Sequence, residues 1–147
     1  MNAARITTLA YASRHIQPYV TNAEWGNISA VAQADKSTRG RVRITNQQIA
    51  DQRGRGRARG PLSERTVRVQ MHQLCQDGRW LKREGWTVIV VGAEKHTVET
   101  CDHPQCVGDR QAVAELAAAD ELAARRREKA RLKKARQREA RKAAQIV

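Results

Sequence analysis

The chain contains no Phe, and aromatic residues make up only 3% of it. A core built on large rings is thereby excluded, and packing must come from aliphatic side chains. Long hydrophobic runs are also missing, and a bilayer crossing takes about 20 consecutive apolar residues. The N-terminal run MNAARITTLAYASRHIQ has neither the apolar centre nor the cleavage pattern of a secretory signal. The expected location is therefore the bacterial cytoplasm, in association with the nucleoid, with no membrane partner. Cysteine is scarce, and its odd count of 3 argues against a disulfide framework. No Walker loop and no GxGxxG occurs, and the glycines cluster with arginine, where a phosphate cradle would want a strand before and a helix directly after. His15, His72, His96 and His103 have no paired carboxylate and nucleophile nearby in sequence. An enzyme is not expected, nor a small-molecule ligand or a cofactor.

Positive charge is abundant. Lys and Arg number 28 against 15 Asp and Glu, giving a formal charge of +13 and a sequence pI near 10.8. That balance points to nucleic acid as the partner. The length suits one globular domain with residues to spare.

The most informative stretch runs from Ile44 to Val91. Ser63 is a candidate helix cap before SERTVRVQMHQLCQD, and Gly78 supplies the left-handed residue that ends the helix. Val67, Met71, Leu74 and Cys75 fall at i, i+4, i+7 and i+8 and form one apolar stripe, while Arg65, Arg68, Val69, His72 and Gln76 point the other way. After Gly78 the period changes. Trp80-Leu81-Lys82, a turn at Arg83-Glu84-Gly85 and Trp86 to Val91 read as two strands. Upstream, ITNQQIADQ reads as a short helix with Ile49 and Ala50 buried. Before it, Thr21 or Asn22 caps a helix AEWGNISAVAQAD whose buried face is Trp25, Ile28, Val31 and Ala32. Val42 and Ile44 fit a short edge strand with Arg41 and Arg43 facing out. The expected core joins Val67, Met71, Leu74, Trp80 and Ile89 to Trp25, Ile28, Val31 and Ile49.

The run LSERTVRVQMHQLCQDGRWL, with its Ser cap, the Thr66-Val67-Arg68 triplet, Leu74 and Asp77-Gly78 before an apolar pair, resembles the recognition helix and wing of GntR-type and related bacterial winged-helix regulators. The resemblance covers roughly the middle third of the chain. It implies a mainly α fold with a small β-hairpin wing, a winged helix-turn-helix, and double-stranded DNA as the partner. One feature departs from the family: the link QRGRGRARGPL is longer and more basic than the usual turn. Its Arg53, Arg55, Arg57 and Arg59 alternate with Gly or Ala and resemble the RGR core of an AT-hook, without that motif's N-terminal proline. Arginines in such a setting fork onto phosphates or reach a minor groove.

The residues expected on DNA are therefore Thr45, Asn46 and Gln47 at the start of the first helix of the pair; Arg53, Arg55, Arg57 and Arg59 in the loop; Ser63, Arg65, Thr66, Arg68, Val69 and His72 on the recognition helix; and Lys82 and Arg83 in the wing. Arg65 and Arg68 are the candidate base readers, since an arginine can hold guanine O6 and N7 together.

Beyond the wing, GAEKHTVETCDHPQCVGD contains His96, Cys101, His103 and Cys106. These are residue types that zinc prefers, but Cys101 and His103 are one residue apart, where structural sites usually open with a gap of two to four. A surface turn with reduced thiols is the expectation, with Glu94 to Thr100 as a candidate extra strand. From Asp109 the chain reads as one long helix without Gly or Pro. Residues 111–124 are Ala-rich and acidic; residues 125–142 hold eleven Lys or Arg against Glu128 and Glu139, which is +9 of the total +13. Charge on all sides excludes a packed amphipathic element, and sustained heptads are absent.

The organisation expected is an N-terminal helix (1–20), a winged helix-turn-helix domain (21–92) with an Arg/Gly-rich insertion (53–60), an irregular Cys/His loop (93–109) and a basic helical tail (110–147). A homodimer would form through residues 3–17 or 111–124. The function expected is sequence-specific DNA binding in transcription regulation. Two alternatives stand beside it: a DNA-binding component of plasmid or phage replication, and a nucleoid-structuring or RNA-binding basic protein in which the tail dominates.

Overall fold

The computed structural model describes residues 5–55 and 62–146. Residues up to Val107 form one compact unit and Gly108 onward a second. The chain is mainly helical, with one small antiparallel sheet and a long C-terminal helix. No helix among the described residues is long and apolar enough to cross a membrane.

Helix α1 spans Thr8–His15, with Thr7 as its side-chain cap, and is followed by a 3-10 turn at Gln17–Tyr19 that contains Pro18. Helix α2 spans Asn22–Ala34. Thr21 and Glu24 close a reciprocal capping box at its start, satisfying two backbone N–H groups that the helix itself cannot. Strand β1 is Arg41–Arg43, and α3 spans Asn46–Gly54 with a second capping box from Thr45 and Gln48. Helix α4 spans Glu64–Asp77 and ends at Gly78 in the left-handed conformation, φ 68. Ser63 occupies the N-cap position but makes no side-chain cap bond, so the hydroxyl expected to hold this helix end is left to solvent.

Strands β2 (Leu81–Glu84) and β3 (Thr87–Val90) form a hairpin, and β1 pairs with the outer side of β3, giving the order β1-β3-β2. Val42 lies opposite Val88, and Glu84 opposite Thr87. The turn is therefore Gly85-Trp86, and Arg83 and Glu84, expected in the turn, belong to β2. Gly85 takes φ +58, the positive value that primed hairpin turns require and that glycine adopts without steric cost.

The core is a single cluster drawn from α1 to α4 and the sheet. Ala12, Ile16, Ile28, Val31, Ile49, Val67, Met71, Leu81, Val88 and Val90 are all buried within it. Two expectations shift here. Val88 and Val90 point inward, so Ile89 lies on the half-exposed side. Trp25 and Trp80 are half-buried against the rim; Trp80 stacks on Tyr19 with ring centroids 5.9 Å apart and carries Arg79 on its ring. Glu94 to Thr100 forms turns and adds no strand to the sheet.

Helix α5 spans Pro104–Ile146. It starts five residues before Asp109, because Pro104 serves as its first residue, a position that needs no N–H and favours the fixed φ of proline. The irregular segment therefore ends at His103, and Cys106 is the buried residue of α5. Past Val107, α5 is exposed along almost its whole described length, including Val113, Leu116, Leu122 and Leu132.

Candidate nucleic-acid interface

Helix α4 divides as its periodicity requires. Val67, Met71 and Leu74 are buried, Cys75 is half-buried, and Arg65, Thr66, Arg68, Val69, His72 and Gln76 are exposed. The exposed face has neighbours on one side. Asn46, Arg68, Met71, His72, Cys75, Gln76 and Arg83 line one shallow depression. Thr45, Asn46, Gln47, Glu64, Arg83 and Trp86 line another. Asn46 and Arg83 belong to both, and Arg83 donates to Asn46 Oδ1 at 3.1 Å, tying the hairpin to the start of α3. Three elements thus present one polar surface: the first turn of α3, the open face of α4 and the outer residues of β2.

Charge on this surface is held loosely. Arg68 Nη1 lies 3.6 Å from Glu64 on the same helix, with 60% of the Arg68 side chain exposed. Such a pair contributes about 0.2–1 kcal/mol, so Arg68 can exchange Glu64 for a stronger acceptor at small cost. Arg65, Lys82 and Arg55 are exposed. Ser63 and Thr66 are exposed at the N-terminal end of α4, where unsatisfied backbone N–H groups favour an anion. Arg57 and Arg59 lie outside the described residues.

Arg53 has a different place from the one its sequence context suggests. It is the penultimate residue of α3 rather than part of a loop. Its Nη1 donates to Asn27 Oδ1 and to Gln70 Oε1, both at 2.7 Å, and Asn27 Nδ2 donates to Gln70 at 3.0 Å. The guanidinium is thus the centre of a polar bridge joining α2, α3 and α4, and Asn27 is fully buried in it. Gly26 makes room: a Cβ there would stand 2.7 Å from Arg53 Nε.

Trp86 was not among the expected site residues. It sits at the hairpin tip, 71% exposed, beside Thr45, Gln47 and Arg83. A large ring in water at the edge of a basic surface is an available contact for a sugar or base.

The Cys/His segment is not a loose surface turn. Cys106 is buried in the first turn of α5, and Cys101 and His96 converge on it. The fourth member of that group is His15 from the last turn of α1, not His103. His103 Nδ1 instead accepts from Gln105 N at 3.2 Å, capping the start of α5.

Compared with protein-family models, with curated proteins and with solved structures, the chain has no match.

Proposed function

We propose that this chain is a sequence-specific double-stranded DNA-binding protein of winged helix-turn-helix type, acting in transcription regulation in the bacterial cytoplasm. In this reading α3 and α4 are the helix pair, α4 enters the major groove, and the β2–β3 hairpin is the wing. The observation that carries it is the open face of α4, where Arg65, Arg68, His72 and Gln76 stand exposed and are flanked by Asn46 and Arg83 from two other elements. An isolated α4 would show an amphipathic helix; the flanking residues make it one part of a wider polar surface. Arg65 and Arg68 read bases, Thr45, Ser63, Thr66 and Lys82 hold phosphates, and the basic part of α5 adds sequence-independent attraction.

One observation favours a second reading, that of a nucleoid-structuring or RNA-binding protein. Residues 125–142 carry +9 of the +13 on every side of the helix. If that charge supplied the whole affinity, binding would ignore base sequence. Selection from a pool of random duplexes separates the two. The proposal predicts an enriched motif with duplex preferred over single strands and RNA. A pool that emerges unenriched, or RNA competing as well as the best duplex, would favour the second reading. A palindromic motif would further indicate that two copies bind together.

A further inference from the structure

We propose that His15, His96, Cys101 and Cys106 are the four ligands of a structural zinc ion. Their donor atoms all lie within 4.8 Å of one another. Cys101 Sγ is 3.6 Å from His15 Nε2, Cys106 Sγ is 3.8 Å from the same nitrogen, and Cys106 Sγ is 3.6 Å from His96 Nε2. With Zn–S near 2.3 Å and Zn–N near 2.0–2.1 Å, the sulfur-to-nitrogen edge of a zinc tetrahedron is about 3.6 Å. The three edges match a tetrahedron around one ion.

The spacing supports the same set. Cys101 and Cys106 are separated by four residues, within the gap usual for a pair of zinc thiolates. The helical start at Pro104 turns Cys106 back toward Cys101, and the last turn of α1 supplies His15 from far away in sequence. Two thiolates neutralise the dication, and two further donors are in place. Arg14 Nη1 donates to Cys106 Sγ at 3.4 Å, and His103 N donates to Cys101 Sγ at 3.5 Å. Outer contacts of this kind orient thiolate ligands and stabilise their charge.

Without an ion the cluster is poorly explained. His15, His96 and His103 bring their rings together, with centroids 4.9 Å apart for His15 and His96 and 5.1 Å for His15 and His103. No carboxylate belongs to the group. A coordinated dication deprotonates a thiol outright. Four protein ligands leave no open position, so the ion's role is structural. It fixes the irregular segment between β3 and α5 to the end of α1, where Ala93 and Val98 are the buried apolar side chains between Val90 and Cys106.

The test uses the full chain, purified without chelator, and none of its readouts needs DNA. Metal analysis is expected to find zinc at about one equivalent per chain. Removing it and adding cobalt should give the visible absorption of a tetrahedral site and a thiolate-to-cobalt charge-transfer band. Cys101→Ser, Cys106→Ser and His15→Asn should each lose the zinc, while His103→Asn should keep it. The cobalt spectrum comes from the unmutated chain, so it stands even where a variant misfolds. A metal-free protein, a cobalt spectrum without thiolate charge transfer, or Cys101 and Cys106 recovered as a disulfide would each overturn the site. Loss of zinc in His103→Asn with retention in His15→Asn would overturn the ligand set.

Discussion

Arg53 shows how a single residue can be misplaced by its neighbours in sequence. RGRGRARG reads as one exposed basic run, yet its first arginine faces inward to Asn27 and Gln70, which lie 26 and 17 residues away. Nothing local marks the difference, because a buried polar bridge is specified by partners on other helices. Replacing Arg53 with Ala takes the donor from buried Asn27 Oδ1, while Gln70 Oε1 keeps its bond from Asn27 Nδ2, and should cost about 1–3 kcal/mol for the buried acceptor left unpaired. Gly26→Ala should destabilise the unmutated protein by pushing the guanidinium off its acceptors. In an Arg53→Ala background the same change should be neutral or stabilising, since alanine favours helix over glycine by about 1 kcal/mol. Urea denaturation of the two singles and the double checks this; equal effects of Gly26→Ala in both backgrounds would mean that the bridge is not what the methyl displaces. Asp35 offers a pH test. Burial raises its pKa, but donation from Thr8 and Ser37 side chains and from the Ser37 and Gly40 backbone outweighs burial, so its net pKa falls below the ordinary value. Its contribution is thus complete above the ordinary carboxylate range near pH 4 and is lost as pH falls through the lowered native value. The stability difference between wild type and Asp35→Asn should shrink as pH drops below about 4. A difference that stays constant with pH would show that the carboxylate charge is irrelevant there.

At the scale of elements, helices and the facing of β1 were legible and the facing of β3 was not. The stripe of Val67, Met71 and Leu74, the caps at Thr21 and Gly78, and the alternation Arg41-Val42-Arg43 each carry a periodic or capping signal, and all occur. The run Thr87 to Val91 is apolar from Val88 onward, so its period of two is invisible, and a one-residue slip reverses every side chain. The pairing of β3 with both neighbours decides the matter by burying Val88 and Val90. Val88→Ala should therefore cost about 2 kcal/mol, two buried methyls, and Ile89→Ala distinctly less despite the larger side chain. Thermal melts reversing that order would restore the opposite facing. The start of α5 was missed for a related reason: Pro104 and Gly108 read as breakers, but a proline at the first position is compatible with a helix and one glycine within it is tolerated. Of the candidate Cys/His group, His15 was out of reach of local spacing, because α1 brings it in through the tertiary fold.

For the whole molecule, the proposed function assigns charge and specificity to different parts. Helix α5 has Cys106 as its buried residue, so removal of residues 125–147 should leave the unit up to Val107 folded. Each phosphate contact contributes about −0.9 to the slope of log K against log salt. The truncation should flatten that slope by several units and weaken binding to all duplexes alike, as titrations over a range of salt would show; an unchanged slope would remove the tail from the interface. The central claim rests on the open face of α4, and Arg68 tests it most directly. Wild type and Arg68→Ala should be titrated with the selected duplex and with a random duplex at one salt concentration. A lost bidentate base contact is worth about 1–3 kcal/mol, so the variant should lose roughly 5- to 150-fold on the selected site and far less on the random one. Equal losses on both duplexes would contradict the account, because Arg68 would then be a phosphate contact and α4 would not be the reader.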